Sequence, residues 1–108
     1  MKDSTLGGYQ RVHERAPAFG GSDGQSYSVA PFVDDVPDAQ GRFGAALLFV
    51  RWSPSGDRPV GHLETEYLAY GETPDRALAP VLALSLQELK THLDRLIAMR
   101  EPNDEMRR

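Results

Sequence analysis

The spacing of apolar residues divides the chain into two regimes. Between residues 26 and 70 apolar side chains gather in three strand-like runs, 26–36, 43–52 and 59–70, separated by turn chemistry at Pro37-Asp38-Ala39-Gln40-Gly41 and at Ser53-Pro54-Ser55-Gly56-Asp57-Arg58. Beyond Leu78 the period changes. Leucines 78, 82, 86, 89, 93 and 96 fall, at about 100° per residue, within roughly an 80° sector of one helix face. This order predicts an α+β fold: a three- or four-stranded antiparallel meander, β-β-β-α, packed by one long C-terminal helix that bends at Pro80. The domain spans 26–100, preceded by an N-terminal arm (1–25) with a short edge strand and followed by a disordered charged tail (101–108).

The three runs differ in a way that bears on function. In 26–36, Pro31 cannot donate to a ladder, which places it at a sheet edge or a bulge. The run Phe43-Gly44-Ala45-Ala46-Leu47-Leu48-Phe49-Val50-Arg51-Trp52 is apolar at both odd and even positions, so both of its faces require cover. In 59–70 the alternation sets Leu63, Thr65, Tyr67 and Ala69 on one face and His62, Glu64 and Glu66 on the other. In the arm, Tyr9-Gln10-Arg11-Val12-His13 reads as the edge strand and Phe19 as a residue that tucks onto the core.

The helix has a marked start. Thr73 is an N-cap, Pro74 suits the first helical position and Asp75 sits in the positive first turn. Two features oppose its continuity: Pro80 removes an internal hydrogen bond, and Ser85-Leu86-Gln87-Glu88 has capping-box spacing. The leucine stripe keeps its phase through both, which favours one bent helix over two abutting ones, ending at Glu101-Pro102. Ala77, Val81 and Leu84 project outside the stripe, and a helix apolar nearly all round is buried on more than one side. Together with the two-faced central strand, this excess of apolar surface predicts a homodimer or a protein partner, with a wrapping arm as the alternative.

Composition narrows the classes. The 108 residues, 40 % hydrophobic and 26 % charged, suit one ordinary globular domain. The chain has no cysteine, which excludes disulfides and thiolate sites, and no uncharged apolar run approaches the roughly 20 residues needed to span a bilayer. With no apolar h-region in Met1–Gly8, the expected location is cytoplasmic, without a membrane contact. The net charge of −4 concentrates in 26–75, where three arginines face eight carboxylates. No segment carries the positive field that phosphate binding needs, so nucleic acid is an improbable partner.

Candidate chemistry is sparse. His62-x-Glu64-x-Glu66 would set an imidazole and two carboxylates on one strand face, as a small-ligand or metal site requires, and as any wet edge strand also does. His92 flanks the leucine stripe as a boundary histidine. Asp34, Asp35 and Asp38 form an acidic turn without the spacing of a calcium loop. No cofactor motif and no convergent catalytic set is present. Arg51 and Trp52, followed by Arg58, form the one place where a cation–aromatic surface would meet a partner, and Val81 and Leu84 add the apolar helix flank.

The strand-to-helix junction Gly71-Glu72-Thr73-Pro74-Asp75-Arg76-Ala77-Leu78 and the β-β-β-α order resemble the partial RNase-H-like domain of HicB-type antitoxins. The resemblance is topological and local, and it rests on capping chemistry that unrelated folds share. The expected function is a small protein-interaction or regulatory module without catalytic activity. The alternatives are a small-ligand or metal-binding domain on the His62, Glu64 and Glu66 face, and an antitoxin-like or nucleic-acid-binding regulator.

Overall fold

Thr5 opens the first element by accepting the Gly8 N–H on its hydroxyl at 3.0 Å, and the helix α1 (Leu6–His13) closes at Glu14, whose left-handed φ of 54° ends it. The computed structural model describes residues 4–106, with side chains to Arg100. After α1 come the strands β1 (Ala18–Gly20), β2 (Ser26–Val33), β3 (Phe43–Trp52), β4 (Pro59–Glu64) and β5 (Ala69–Gly71), then the helices α2 (Pro74–Leu82) and α3 (Leu86–Met106). The fold is α+β. Its single five-stranded sheet is an antiparallel meander in the order β1-β2-β3-β4, with β5 pairing the start of β3.

Pro31 sits where its chemistry demands. Val29 sends its N–H away from β3, to the Pro17 carbonyl at 3.1 Å, so Pro31, two residues on, also turns its nitrogen outward. The paired stretch of β1 reaches no further than Ser28, and the missing donor therefore faces an open edge.

The run 59–70 is two strands. Glu64 pairs with Leu48 and Ala69 with Ala45, so four residues (65–68) oppose two on β3, a bulge with two extra residues. Thr65 N–H to Leu47 O (3.1 Å), Leu47 N–H to Thr65 Oγ1 (3.0 Å) and Leu68 N–H to Ala45 O (2.7 Å) stitch it down. An even insertion preserves which face each flanking residue meets. Leu63 and Ala69 accordingly share the core face, as the alternation predicts, but Tyr67 inside the bulge swings to the other side.

The core lies on one face of the sheet. Tyr27 and Val29 of β2 and Ala45, Leu47 and Phe49 of β3 meet Leu6 of α1, Ala77 and Val81 of α2, and Leu89, Leu93 and Ile97 of α3. At about 1.5–3 kcal/mol per fully buried large aliphatic side chain, this cluster is the main stabilising term. Every one of its strand residues is at an alternate position; on the opposite face of β3 the one buried apolar side chain among the described residues is Ala46, which lies outside this cluster.

Three expectations are corrected here. The helix predicted to run unbroken from Pro74 is divided at Ala83–Ser85. The capping box forms in full, with Ser85 N–H to Glu88 Oε1 at 2.8 Å and Glu88 N–H to Ser85 Oγ at 3.0 Å. The break is then clamped by the start of the chain, Leu6 N–H donating to Leu84 O and Leu86 N–H to Ser4 O, both at 2.9 Å. These two partners are too far away in sequence for any periodicity to show. The break also changes phase: α2 buries Ala77 and Val81, while Leu78 and Leu82 of the stripe are only half-buried. Pro80 is exposed, and the carbonyl it leaves without a donor can be met by water.

Second, Tyr9–His13 is helical and not an edge strand; the arm's strand is β1, where Phe19 lies opposite Tyr27 and packs on the core. Gly7 lets α1 approach α2, since a methyl there would stand 3.2 Å from Leu82 Cβ and 3.3 Å from its carbonyl oxygen. The expected stop at Glu101-Pro102 is also absent: α3 continues to Met106. Of the tail expected over 101–108, Arg107 and Arg108 lie outside the described residues. Among the described residues no helix is long and apolar enough to cross a membrane.

Candidate functional site

With all of the core on one side, the even positions of β3 face outward. Ala46, Leu48, Val50 and Trp52 form its centre line, flanked by Ser28, Ala30 and Phe32 of β2 and by His62 and Glu64 of β4. The helices lie over the other face: α2 packs on β2, β3 and β5, and α3 on β4. Leu48 and Val50 are consequently only half-buried, Trp52 is half-buried beside a depression it shares with Tyr9, Arg15 and Gly56, and Phe32 remains 43 % exposed. An apolar sheet face of this kind, bare in the isolated chain, is the principal feature available for function.

Its relief is set by side chains of unequal size. Trp52 lies against β2, its indole N–H donating to Ser28 Oγ at 2.9 Å. At the far end Tyr67 lies over Gly44, where a Cβ would come within 2.6 Å of the ring; a glycine in a central strand here marks a close approach. Between them are two shallow depressions. One, of about 410 Å³, is lined by Leu48, Val50, Pro59 and His62; the other, of about 460 Å³, by Phe32, Ala46, Tyr67 and Asp34, and Glu64 borders both.

The rim is acidic. Tyr67 donates its hydroxyl to Asp34 at 2.5 Å and meets Tyr70 edge-on at 5.8 Å between centroids. That hydroxyl, with the Val36 N–H, holds the Asp34 carboxyl below the usual range, and the same bond raises the Tyr67 phenol. Asp34 is therefore ionised at neutral pH. Asp38 is held low by the Arg42 backbone N–H first, and also pairs with the Arg42 guanidinium at 3.2 Å. That guanidinium in turn stands 4.7 Å over the Tyr70 ring. The acidic turn 34–38 thus caps its own loop, as Val36, Gln40 and Arg42 N–H bonds to Asp34 and Asp38 show.

The residues singled out from the sequence divide. Arg51 and Trp52 point to opposite faces of β3 and make no joint cation–aromatic surface: Arg51 curls over Gly61 and donates Nη2 to Val60 O at 3.3 Å. Arg58 is exposed in the turn after β3. Val81 is fully buried and cannot touch a partner; Leu84 is half-buried at the helix break, its carbonyl held by Leu6. The apolar helix flank is therefore covered by the chain's own core and first residues, whereas Leu48 and Val50 are not.

His62 and Glu64 lie on the bare face opposite Val50 and Leu48, while Glu66 belongs to the bulge, between the Phe32 depression and α3. Among the described residues no three His, Asp or Glu side chains are grouped to hold a metal ion. On the α3 side Glu66 and Glu64 border a cleft of about 310 Å³ with Thr65, Leu68, His92, Arg95 and Leu96. Burial first, and the neighbouring Arg95 second, lower the His92 imidazole. Phe32 and Tyr67, which frame the bare face, are not singled out as site residues from the sequence, the available signal being Gly44, and Asp34 reads there only as part of an acidic turn. Compared with known proteins, the chain matches no family model, no curated protein and no solved structure.

Proposed function

We propose that this protein is a non-catalytic interaction module that works by docking its bare sheet face onto a protein. One observation carries the reading: β3 is apolar on both faces, and the structure uses only one of them for its core. Leaving Phe32, Leu48, Val50 and Trp52 against water forfeits burial worth about 25 cal/mol per Å², which a partner restores. The acidic rim opposes nucleic acid and anionic membrane alike.

The test uses the pair Leu48→Asp and Val50→Asp. Both positions lie outside the core, so circular dichroism should stay unchanged while association is lost, whether with a second copy by light scattering or with a retained protein by pull-down and intact mass. Association that survives both substitutions refutes the site, and a wild-type chain that stays monomeric and retains nothing refutes the function.

A second reading is favoured by the cleft between α3 and the bulge. His92 and Arg95 on one wall oppose Glu64 and Glu66 on the other over a floor of Leu68 and Leu96, an arrangement suited to a small zwitterion. Thermal-shift titration with amino acids and amines tests it, because a ligand bound only by the native state raises the unfolding temperature.

A further inference from the structure

We infer that the occupant of the bare face is a basic amphipathic helix of another protein, laid along β3 so that the two-layer fold becomes three-layered. This rests on the docking reading above and specifies the partner's chemistry.

Length supports a helix. From Ala46 to Trp52 the outward side chains of β3 extend over six residue steps, about 20 Å at strand rise, which about thirteen helical residues match. The surface offers Leu48 and Val50 beside one depression and Phe32 beside the other, with buried Ala46 at its floor, two places for the aliphatic side chains of a helix.

Charge selects the kind of helix. Asp34, Glu64 and Glu66 border the apolar strip, and among the described residues Glu64 and Glu66 have no ion-pair partner. Arg42 is committed to Asp38 and Tyr70 and Arg51 points to the opposite face; Arg95 shares the α3 cleft with Glu64 and Glu66 but among the described residues forms no ion pair with either. Lysines or arginines beside a leucine-type stripe would meet these carboxylates. A second copy would instead bring the same carboxylates to the same border, because a two-fold interface pairs a surface with itself.

The probe is a synthetic helix of about fourteen residues with a leucine stripe flanked by lysines, and its counterpart flanked by glutamates. Binding is read from the emission of Trp52, the only tryptophan, which stands at one end of the face. The full-length chain should bind the leucine–lysine peptide saturably and ignore the leucine–glutamate one. Leu48→Asp should weaken binding about tenfold or more, and Glu64→Lys with Glu66→Lys by about tenfold while admitting the glutamate peptide. Glu72→Lys, on the helix layer, should change it less than about twofold.

Equal binding of the two peptides, or a loss with Glu72→Lys as large as with Glu64→Lys, overturns the proposal. So does binding of neither peptide. In that case a chain whose mass doubles with concentration, and ceases to do so as Leu48→Asp, keeps the docking face and assigns it to a second copy; constant mass removes both readings.

Discussion

Leu47 and Leu48 are adjacent in the chain and on opposite sides of β3, and truncating each to alanine measures how bare the outer face is. Leu47 is fully buried among Phe49, Val29 and the helices. Its truncation removes aliphatic surface from the core and leaves a cavity the rigid surroundings cannot close, a cost of about 3–4 kcal/mol. Leu48 is half-buried against Ala30 and the stem of Glu64, its strand partners, with one side open. Alanine there leaves a wider groove that water enters, so only about half of the transfer term is lost, about 1 kcal/mol. For a urea dependence near ~1.5 kcal/mol per molar, the midpoint should fall by about 2 M for Leu47→Ala and by under about 1 M for Leu48→Ala. Urea titration followed by circular dichroism, run at about 1 µM and again at about 100 µM, also reports self-association, because a dimer stabilises in proportion to the logarithm of concentration. If Leu48→Ala costs as much as Leu47→Ala at the lower concentration, the outer face is covered by the chain itself and the docking argument fails.

Three further outcomes are expected. Gly44→Ala should cost about 1–3 kcal/mol by driving the Tyr67 ring off the sheet, and a double-mutant cycle should show that cost vanish in a Tyr67→Ala background; an undiminished cost would place the strain elsewhere. Ser85→Ala removes the hydroxyl that accepts the Glu88 N–H and should lower stability by about 1 kcal/mol in thermal or urea unfolding, whereas Gln87→Ala, one turn position away and exposed, should change it by less than about 0.5 kcal/mol. The Tyr27 phenol is pushed up to about 12, by burial first and then by its bond to Asp23. Because the fold favours the protonated form, this contribution is whole below pH 10 and is lost as pH rises from 10 through about 12, roughly 2–3 kcal/mol in all. Tyr27→Phe should therefore flatten the alkaline fall of the urea midpoint, and parallel curves for the two chains would contradict the assignment.

What the amino-acid order determined by itself is local. An apolar run bounded by Gly41 and Ser53-Pro54 marks β3 to the residue, because turn residues and strand-formers exclude one another over short distances. Thr73-Pro74 marks the start of α2 in the same way, the Thr73 hydroxyl accepting the Arg76 N–H. The requirement that β3 be covered on both faces was also legible, and it is the origin of the functional reading.

Contacts between residues far apart in the chain decided the rest. Gly7-Gly8 argues against a helix at 6–13 on propensity, yet α1 forms, because Leu6 is buried in the core and its N–H is held by Leu84. The same contact stabilises the break that the unbroken leucine phase argued against, and it supplies the cover for the helix flank that had pointed to a partner. Tyr67 changed faces because a two-residue bulge, invisible to alternation, was stitched down by Thr65 and made room over Gly44. Only the tertiary structure could show which half of the apolar excess was already hidden. Burial is a property of what lies opposite a side chain, and a one-dimensional pattern records the need for cover without recording which distant segment provides it.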